Sequence, residues 1–151
     1  LGGTFAVMSR RVDVIDPKVD NTKLLDHVTV FEGDYFTVHP GELVLAATLE
    51  AIGLADTLAA RVEGKSSLGR LGILVHATAG FIDPGWASAP ITLEISTVIG
   101  LPVRLYPGMP IAQLAFEQVE PVTSGYAGKY SGQTGPTPSR FHLNWTGTRW
   151  I

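Results

Sequence analysis

Hydrophobic positions along this chain fall in short alternating or continuous runs, cut by Pro and Gly before a helical period can build. Ile91, Leu93 and Ile95 alternate with Thr92, Glu94 and Ser96, which predicts a strand with one apolar and one polar face. Tyr35 to Val38, then His39-Pro40-Gly41-Glu42, then Leu43 to Glu50 predict strand, Pro-Gly turn and strand. The figure returns as Val103 to Tyr106, Pro107-Gly108-Met109-Pro110 and Ile111 to Glu117, with Pro107 in the place of Pro40. Two related hairpins predict a pseudo-repeated β-barrel or jelly roll. Thr4 to Val7, Val12 to Ile15 and Leu71 to Val75 read as further strands, with a polar loop after Asp16-Pro17. Ala55 to Arg61 is the one stretch that suits a helical turn. After Pro121 the chain turns to Gly, Ser, Thr and Pro as far as Arg140. This predicts a β-barrel domain over 1–121 and a flexible C-terminal tail over 122–151 that orders on a ligand or partner. The last stretch, Phe141 to Ile151, holds two of the three tryptophans and shows no period.

Composition narrows this to one all-β domain. The 151 residues are 45% hydrophobic and only 17% charged, with 17 Gly and 10 Pro, enough apolar material for a core and too much punctuation for long helices. Eleven Lys+Arg against fourteen Asp+Glu leave a net charge of -3, which gives no positive field for a nucleic-acid polymer. The absence of cysteine removes disulfides, thiol nucleophiles, Cys-ligated zinc and iron–sulfur clusters. Apolar runs such as Leu43 to Leu49 are far short of the ~20 residues a spanning helix needs. A soluble cytoplasmic protein without a membrane partner is the expectation. The chain begins at Leu1 rather than Met, which leaves room for residues upstream.

Three segments carry candidate chemistry. Gly64-Lys65-Ser66-Ser67-Leu68-Gly69-Arg70 concentrates cations, hydroxyls and glycines as a phosphate-binding loop does. It is not a Walker loop, because Ala59 stands where that pattern needs its first Gly; a solvated turn between strands is the plain alternative. His76 to Trp86 contains Asp83-Pro84-Gly85. There Asp83 could hold a sugar hydroxyl and Trp86 wall a pocket, or Asp83 could start a turn and Trp86 fill the core. His76 has no partner at ligand spacing and reads as structural. Glu94 is the sole carboxylate in a long apolar stretch. It suits a general acid/base if its face lines a closed pocket, and is an ordinary surface residue if that face meets water.

Together, Glu63 to Gly72, His76 to Gly85, Thr92-Leu93-Glu94, Pro107-Gly108-Met109 with Gln113-Leu114, and Lys129 to Gln133 with Gly135-Pro136 resemble the dCTP deaminases of the trimeric dUTPase superfamily. The resemblance runs in register from about Phe36 to Arg140 and implies a distorted jelly-roll subunit and a homotrimer with shared active sites. Its substrate would be dCTP as a magnesium triphosphate complex, with dUTP as product or intermediate, dTTP as a possible feedback inhibitor, and no zinc. Carried over by position, Glu94 would be the general acid/base, and Ser66 and Arg70 would hold and polarise the reaction centre. Lys65, Ser66, Ser67, Leu68, Gly69 and Arg70 would form the nucleotide loop. Asp83 would meet the deoxyribose, Thr92, Leu93 and Glu94 the cytosine, and Gln113 a further part of the nucleotide. Lys129 and Gln133 would clamp the triphosphate, and Tyr126 is the nearest candidate for a sugar-stacking tyrosine. Ala79, Gly80 and Phe81, with the tail from Gly132 to Arg140, resemble the branch that carries dUTP on to dUMP and pyrophosphate; release of dUTP, a dUTPase without deaminase activity, and an inactive nucleotide-binding fragment are the alternatives. The family's Gln-Pro-x-Ser-x-Asp-Val-Arg-Leu motif is missing, with Leu1-Gly2 at its end, and Trp86 to Pro90 carries one extra residue.

Overall fold

Alternation at the Glu94 segment becomes the most regular strand of the molecule, and the sheets assemble around it. The computed structural model describes residues 1–9, 14–122 and 124–151. Its strands are β1 (Thr4–Met8), β2 (Leu25–Thr29), β3 (Phe36–Val38), β4 (Leu43–Ile52), β5 (Leu58–Gly64), β6 (Ile73–Leu74), β7 (Phe81–Ile82), β8 (Ala89–Thr97), β9 (Val103–Leu105) and β10 (Ala112–Gln118). One α-helical turn, α1 (Ser66–Gly69), follows β5, and short 3₁₀ turns lie at Thr22–Leu24 and Phe141–Asn144. The strands form three sheets, ordered β2-β1-β4-β8-β6, β10-β5-β7 and β3-β9, and every pairing is antiparallel. No helix among the described residues is long and apolar enough to cross a membrane.

One apolar cluster joins all three sheets. Phe5, Val44, Leu93 and Ile95 come from the first, Ala60, Val62 and Ile82 from the second, and Val38 and Leu105 from the third. Phe5 stacks on Phe36 with ring centroids 4.4 Å apart, tying β1 to β3. On β8 the alternation holds throughout: Ile91, Leu93 and Ile95 are buried, while Thr92, Glu94 and Ser96 are half-buried on the other face.

The two strand–turn–strand figures are real, but neither closes as a hairpin. β3 pairs with β9, with Thr37 opposite Arg104, and each following strand leaves for a different sheet: β4 pairs with β1 and β8, and β10 with β5. Both turns are type II. Gly41 (φ 79) and Gly108 (φ 81) supply the positive φ that position requires, and Glu42 N–H and Met109 N–H each reach the carbonyl three residues back at 3.1 Å. Because Thr37 and Arg104 occupy equivalent places in the two copies, their pairing makes the repeat a local two-fold rather than two hairpins side by side.

Other expectations need correction. Ala55 to Arg61 is not helical: a turn at Asp56-Thr57 leads directly into β5, whose residues pair with β10 and β7. The helical turn forms at α1 instead. The strand expected over Leu71 to Val75 contracts to Ile73–Leu74, since Gly72 (φ 76) breaks the extended path. Of the strand expected at Val12 to Ile15, Val12 and Asp13 lie outside the described residues, and Val14 and Ile15 are exposed and irregular. β2 takes the place beside β1 instead.

The long β4–β8 ladder carries an irregularity between Ala47 and Ala51, and a side chain repairs it. Thr48 Oγ1 accepts the Ile91 N–H at 2.9 Å and donates to the Glu50 carbonyl at 2.7 Å, standing in for a missing ladder partner. Thr48→Val removes that acceptor from a buried N–H, and we expect a loss of about 1–3 kcal/mol in urea unfolding. Thr48→Ser keeps the hydroxyl and should lose clearly less; equal losses would show that the bonds at the bulge carry no stability.

Candidate active site

The polar face of β8 is built between two flanking segments. On one side β6 pairs with its end, Ile73 opposite Thr97 and Leu74 opposite Ser96, and the chain continues so that Val75 O accepts the Glu94 N–H at 3.1 Å. Two residues further, the Ala77 N–H donates to Glu94 Oε2 at 2.8 Å. The carboxylate is thus held by the backbone of the segment beside it, one oxygen occupied. Such a donor fixes the orientation a proton-transfer group needs.

The Gly64–Arg70 segment enters this arrangement just before β6. Lys65 O accepts the N–H of both Leu68 and Gly69 at 2.9 Å, and Ser66 O accepts the Arg70 N–H at 3.1 Å. These bonds close α1. Leu68 packs on the core while Ser66, Ser67, Gly69 and Arg70 are exposed, so the apolar residue anchors the turn and leaves its hydroxyls and guanidinium outward. Gly72 N–H reaches Gly69 O at 2.9 Å, and Val98 N–H reaches Gly72 O at 2.9 Å, docking the loop against the end of β8.

On the other side lies the tail, which packs on the barrel within the same chain. Gln133 is 8% exposed; its Nε2 donates to Pro90 O at 2.6 Å, and its Oε1 stands 3.4 Å from Thr92 Oγ1. The same hydroxyl lies 3.2 Å from Gly135 O and accepts the Thr137 N–H at 3.3 Å. Lys129 Nζ donates to Asn144 Oδ1 and stands 5.7 Å from the Phe141 ring centroid. Trp145 and Trp150, without a period in the sequence, pair as an isolated bridge with rings 5.0 Å apart, and Lys18 lies over Trp145. Tyr126 rests on Trp86 with centroids 4.8 Å apart, on the turn that also carries the exposed Asp83. Trp86 is therefore core on one face and tail contact on the other.

Some sequence-derived candidates stand apart. Leu93 is fully buried, so only its backbone can face a ligand. Gln113 lies on β10 opposite Glu63 and lines a cavity of about 390 Å³ with Leu1, Thr48, Glu50, Ile91 and Met109. Glu94, Ser66, Arg70 and Asp83 do not border that cavity. Among Ala79, Gly80 and Phe81, the close fit is at Gly80: its carbonyl accepts the Val62 N–H at 2.7 Å, and a Cβ there would fall 2.8 Å from Val62 O and 3.3 Å from His76 Nε2. Phe81 is exposed, under Arg61 at 5.3 Å. His76 Nδ1 and Trp86 Nε1 are buried without a hydrogen-bond partner. Among the described residues no group of three or more His, Asp or Glu is placed to hold a metal ion. Sequence reasoning missed the Ala77 N–H, the Glu94 carboxylate's partner, because a backbone donor leaves no mark in residue identity.

Residues 1–119 match the family model described as dCTP deaminase-like. Relatives named "dCTP deaminase, dUMP-forming" include those of Corynebacterium efficiens, 55% identical over 87% of this chain and 71% of the relative, and Mycolicibacterium smegmatis, 54% identical over 86% and 71%. That of Corynebacterium jeikeium is 50% identical over 95% of this chain and 80% of the relative. A 2'-deoxycytidine 5'-triphosphate deaminase from Agrobacterium tumefaciens shares the fold, with a TM-score of 0.66 and 21% identity over 79% of this chain; the chain spans 37% of that one's length.

The Thr92 hydroxyl is one of the tail's fastenings on β8, beside the Gln133–Pro90 bond, and it gives a direct test. In Thr92→Val the Thr137 N–H loses its acceptor, worth about 1 kcal/mol. We expect its amide hydrogen exchange to quicken several-fold, while the amides of β8 keep wild-type protection. Unchanged exchange at Thr137 would refute the fastening.

Proposed function

The chain belongs to the dCTP deaminase-like family, and from that premise we propose that it converts dCTP to dUTP and ammonia and carries the dUTP on to dUMP and pyrophosphate. The observation that carries this reading is the Glu94 carboxylate, held by the Ala77 N–H on the polar face of β8 beside the segment that runs back to Ser66 and Arg70. A carboxylate oriented in this way takes a proton from water as the oxygen adds to C4 of cytosine, and returns it to the base nitrogen. The C4 hydroxyl then loses its proton to the amino group, which leaves as ammonia as the C4 carbonyl of uracil forms. Ser66 and Arg70 hold the reacting groups, and Lys65 to Arg70 cradle the nucleotide. Asp83 meets the deoxyribose next to Tyr126. In the second step a water attacks the α-phosphorus and pyrophosphate departs, with Mg²⁺ entering as part of the triphosphate substrate.

Several site features support a homotrimer. Ser66 and Arg70 are exposed in one protomer and Gln113 lines a separate cavity, so the full set of nucleotide contacts assembles only when a second copy adds its residues. Lys129 then closes over the triphosphate from the tail, which Gln133 holds to Pro90. The small, exposed Ala79 leaves space for the water of the second step, while Gly80 lets the segment pack closely on Val62 O. dTTP offers the same deoxyribose and triphosphate without the 4-amino group, and competes for the site as an inhibitor. The nucleotide pool is cytoplasmic, and so is the enzyme on this reading.

Two experiments test it. Purified protein with dCTP and Mg²⁺, followed by ion-exchange chromatography, should yield dUMP with equal pyrophosphate and ammonia and little free dUTP. Accumulating dUTP without pyrophosphate would assign the chain to the dUTP-releasing branch, and absence of ammonia would overturn the deaminase reading. Glu94→Gln removes the proton carrier with almost no change in volume, so deamination should fall by about 10² or more, the usual weight of general acid–base catalysis, with dCTP affinity by calorimetry within a few-fold of wild type.

A further inference from the structure

The tail reaches the barrel at a crossing of two backbones with no side chain between them. A Cβ on Gly125 would stand 3.1 Å from Gly85 O and 3.2 Å from Gly85 Cα, and a Cβ on Gly85 would stand 2.4 Å from Gly125 Cα. The lower side of the crossing is tied down. Gly85 N–H donates to Ala55 O at 3.0 Å, and Leu54 N–H to Trp86 O at 2.9 Å, which fixes the Asp83–Trp86 turn to the loop before β5. Gly85 (φ 71) also serves the turn itself. Gly125 has no positive φ, so its backbone conformation suits other residues; a side chain there would have to push the Gly85 backbone away by a few tenths of an ångström.

From this crossing the tail takes its register. Tyr126 N–H donates to Pro84 O at 3.2 Å, and its ring lies on Trp86. Its hydroxyl accepts the Tyr130 N–H at 3.3 Å, and its carbonyl accepts Ser131 Oγ at 3.4 Å. Gln133 N–H then reaches Tyr130 O at 3.3 Å. The segment from Lys129 to Gln133 is thereby wrapped around one tyrosine seated on Pro84 and Trp86.

We propose that Gly125 and Tyr126 are positioning residues that seat the tail on the Asp83–Trp86 turn and so decide whether dUTP formed from dCTP stays bound for hydrolysis. This rests on the two-step reading above. Deamination exchanges one amino group for a carbonyl oxygen and leaves the triphosphate untouched. Retention of the intermediate therefore falls to the groups that hold the triphosphate, which that reading places on the tail. Lifting the tail speeds escape of dUTP while the residues of the deamination step stay in place on β8 and α1.

The test compares wild type with Gly125→Ala, Gly125→Val, Tyr126→Phe and the control Gly100→Ala, whose added methyl meets no atom within 4 Å. Three readouts are taken: the fraction of early product released as dUTP, KM and kcat for ammonia release, and the rate of trypsin cleavage after Lys129. For Gly125→Val we expect free dUTP and KM to rise about tenfold, which corresponds to about 1.4 kcal/mol of lost tail closure. Its kcat should stay within a few-fold of wild type and trypsin should cut faster. Gly125→Ala and Tyr126→Phe should move the same way by less, and Gly100→Ala should match wild type. A wild-type product ratio, KM and cleavage rate in Gly125→Val would overturn the proposal, as would a loss of kcat alone. If Gly125→Val fails to fold by circular dichroism, Gly125→Ala decides by the same criteria. If wild type releases no ammonia, the two-step reading itself fails; the retention proposal falls with it, and the cleavage rates still decide whether Gly125 seats the tail.

Discussion

The pairing of β4 with β8 is the constraint on which the rest of the structure depends. It joins the strand that completes the central sheet to the strand that carries Glu94, and Val44, Ala46, Leu93 and Ile95 beneath it are almost wholly excluded from water. Burying one face of β8 at that depth fixes the register of its other face, because a slip by one residue would exchange Leu93 for Glu94 in the core. The bulge at Thr48 lets β4 remain attached through the irregularity. The position of the carboxylate is therefore inherited from hydrophobic packing and needs no separate device.

With β8 fixed, two segments of different character complete its polar face. The chain from α1 through Ala77 is bound by ladder and turn hydrogen bonds, a rigid attachment that suits groups close to the reacting atoms. The tail has little regular structure and is fastened by side chains: Gln133 on Pro90, the Thr92 hydroxyl, Tyr126 on Trp86. Such attachments release more readily than a β-ladder, because side-chain contacts open locally at less cost than a paired strand.

How much of this was legible in the sequence depended on the range of the interaction. The alternation at residues 91–96 is local, and it gave the two faces of β8 correctly. Pro40-Gly41 and Pro107-Gly108 likewise announced both type II turns. What followed the turns was not local: β3 reaches β9 across nearly half of the chain, and no short-range pattern distinguishes that pairing from two hairpins. Ala55 to Arg61 misled because alanines favour helix, while the β10 and β7 partners that make it a strand lie far away in sequence. The motif residues were legible as a set through their resemblance, yet the partner of Glu94 and the Gly85–Gly125 crossing were not. Both involve main-chain atoms meeting across long separations.

The repeat explains where the candidate site lies. Its two copies meet about a local axis at Thr37 and Arg104, and each contributes a strand, a Pro-Gly turn and a second strand to the frame. An axis of this kind treats both copies alike, so it cannot by itself create a site with one acid and one binding loop. Asymmetry enters through the chain between the copies, from Gly53 to Gly100, which supplies β5, α1, the Ala77 segment, the Asp83 turn and β8. Glu94, Ser66, Arg70 and Asp83 all belong to that stretch, and the tail returns to cover it. The paired copies supply a frame that can bear close packing, and the connecting segment lies across that frame with its polar groups facing outward.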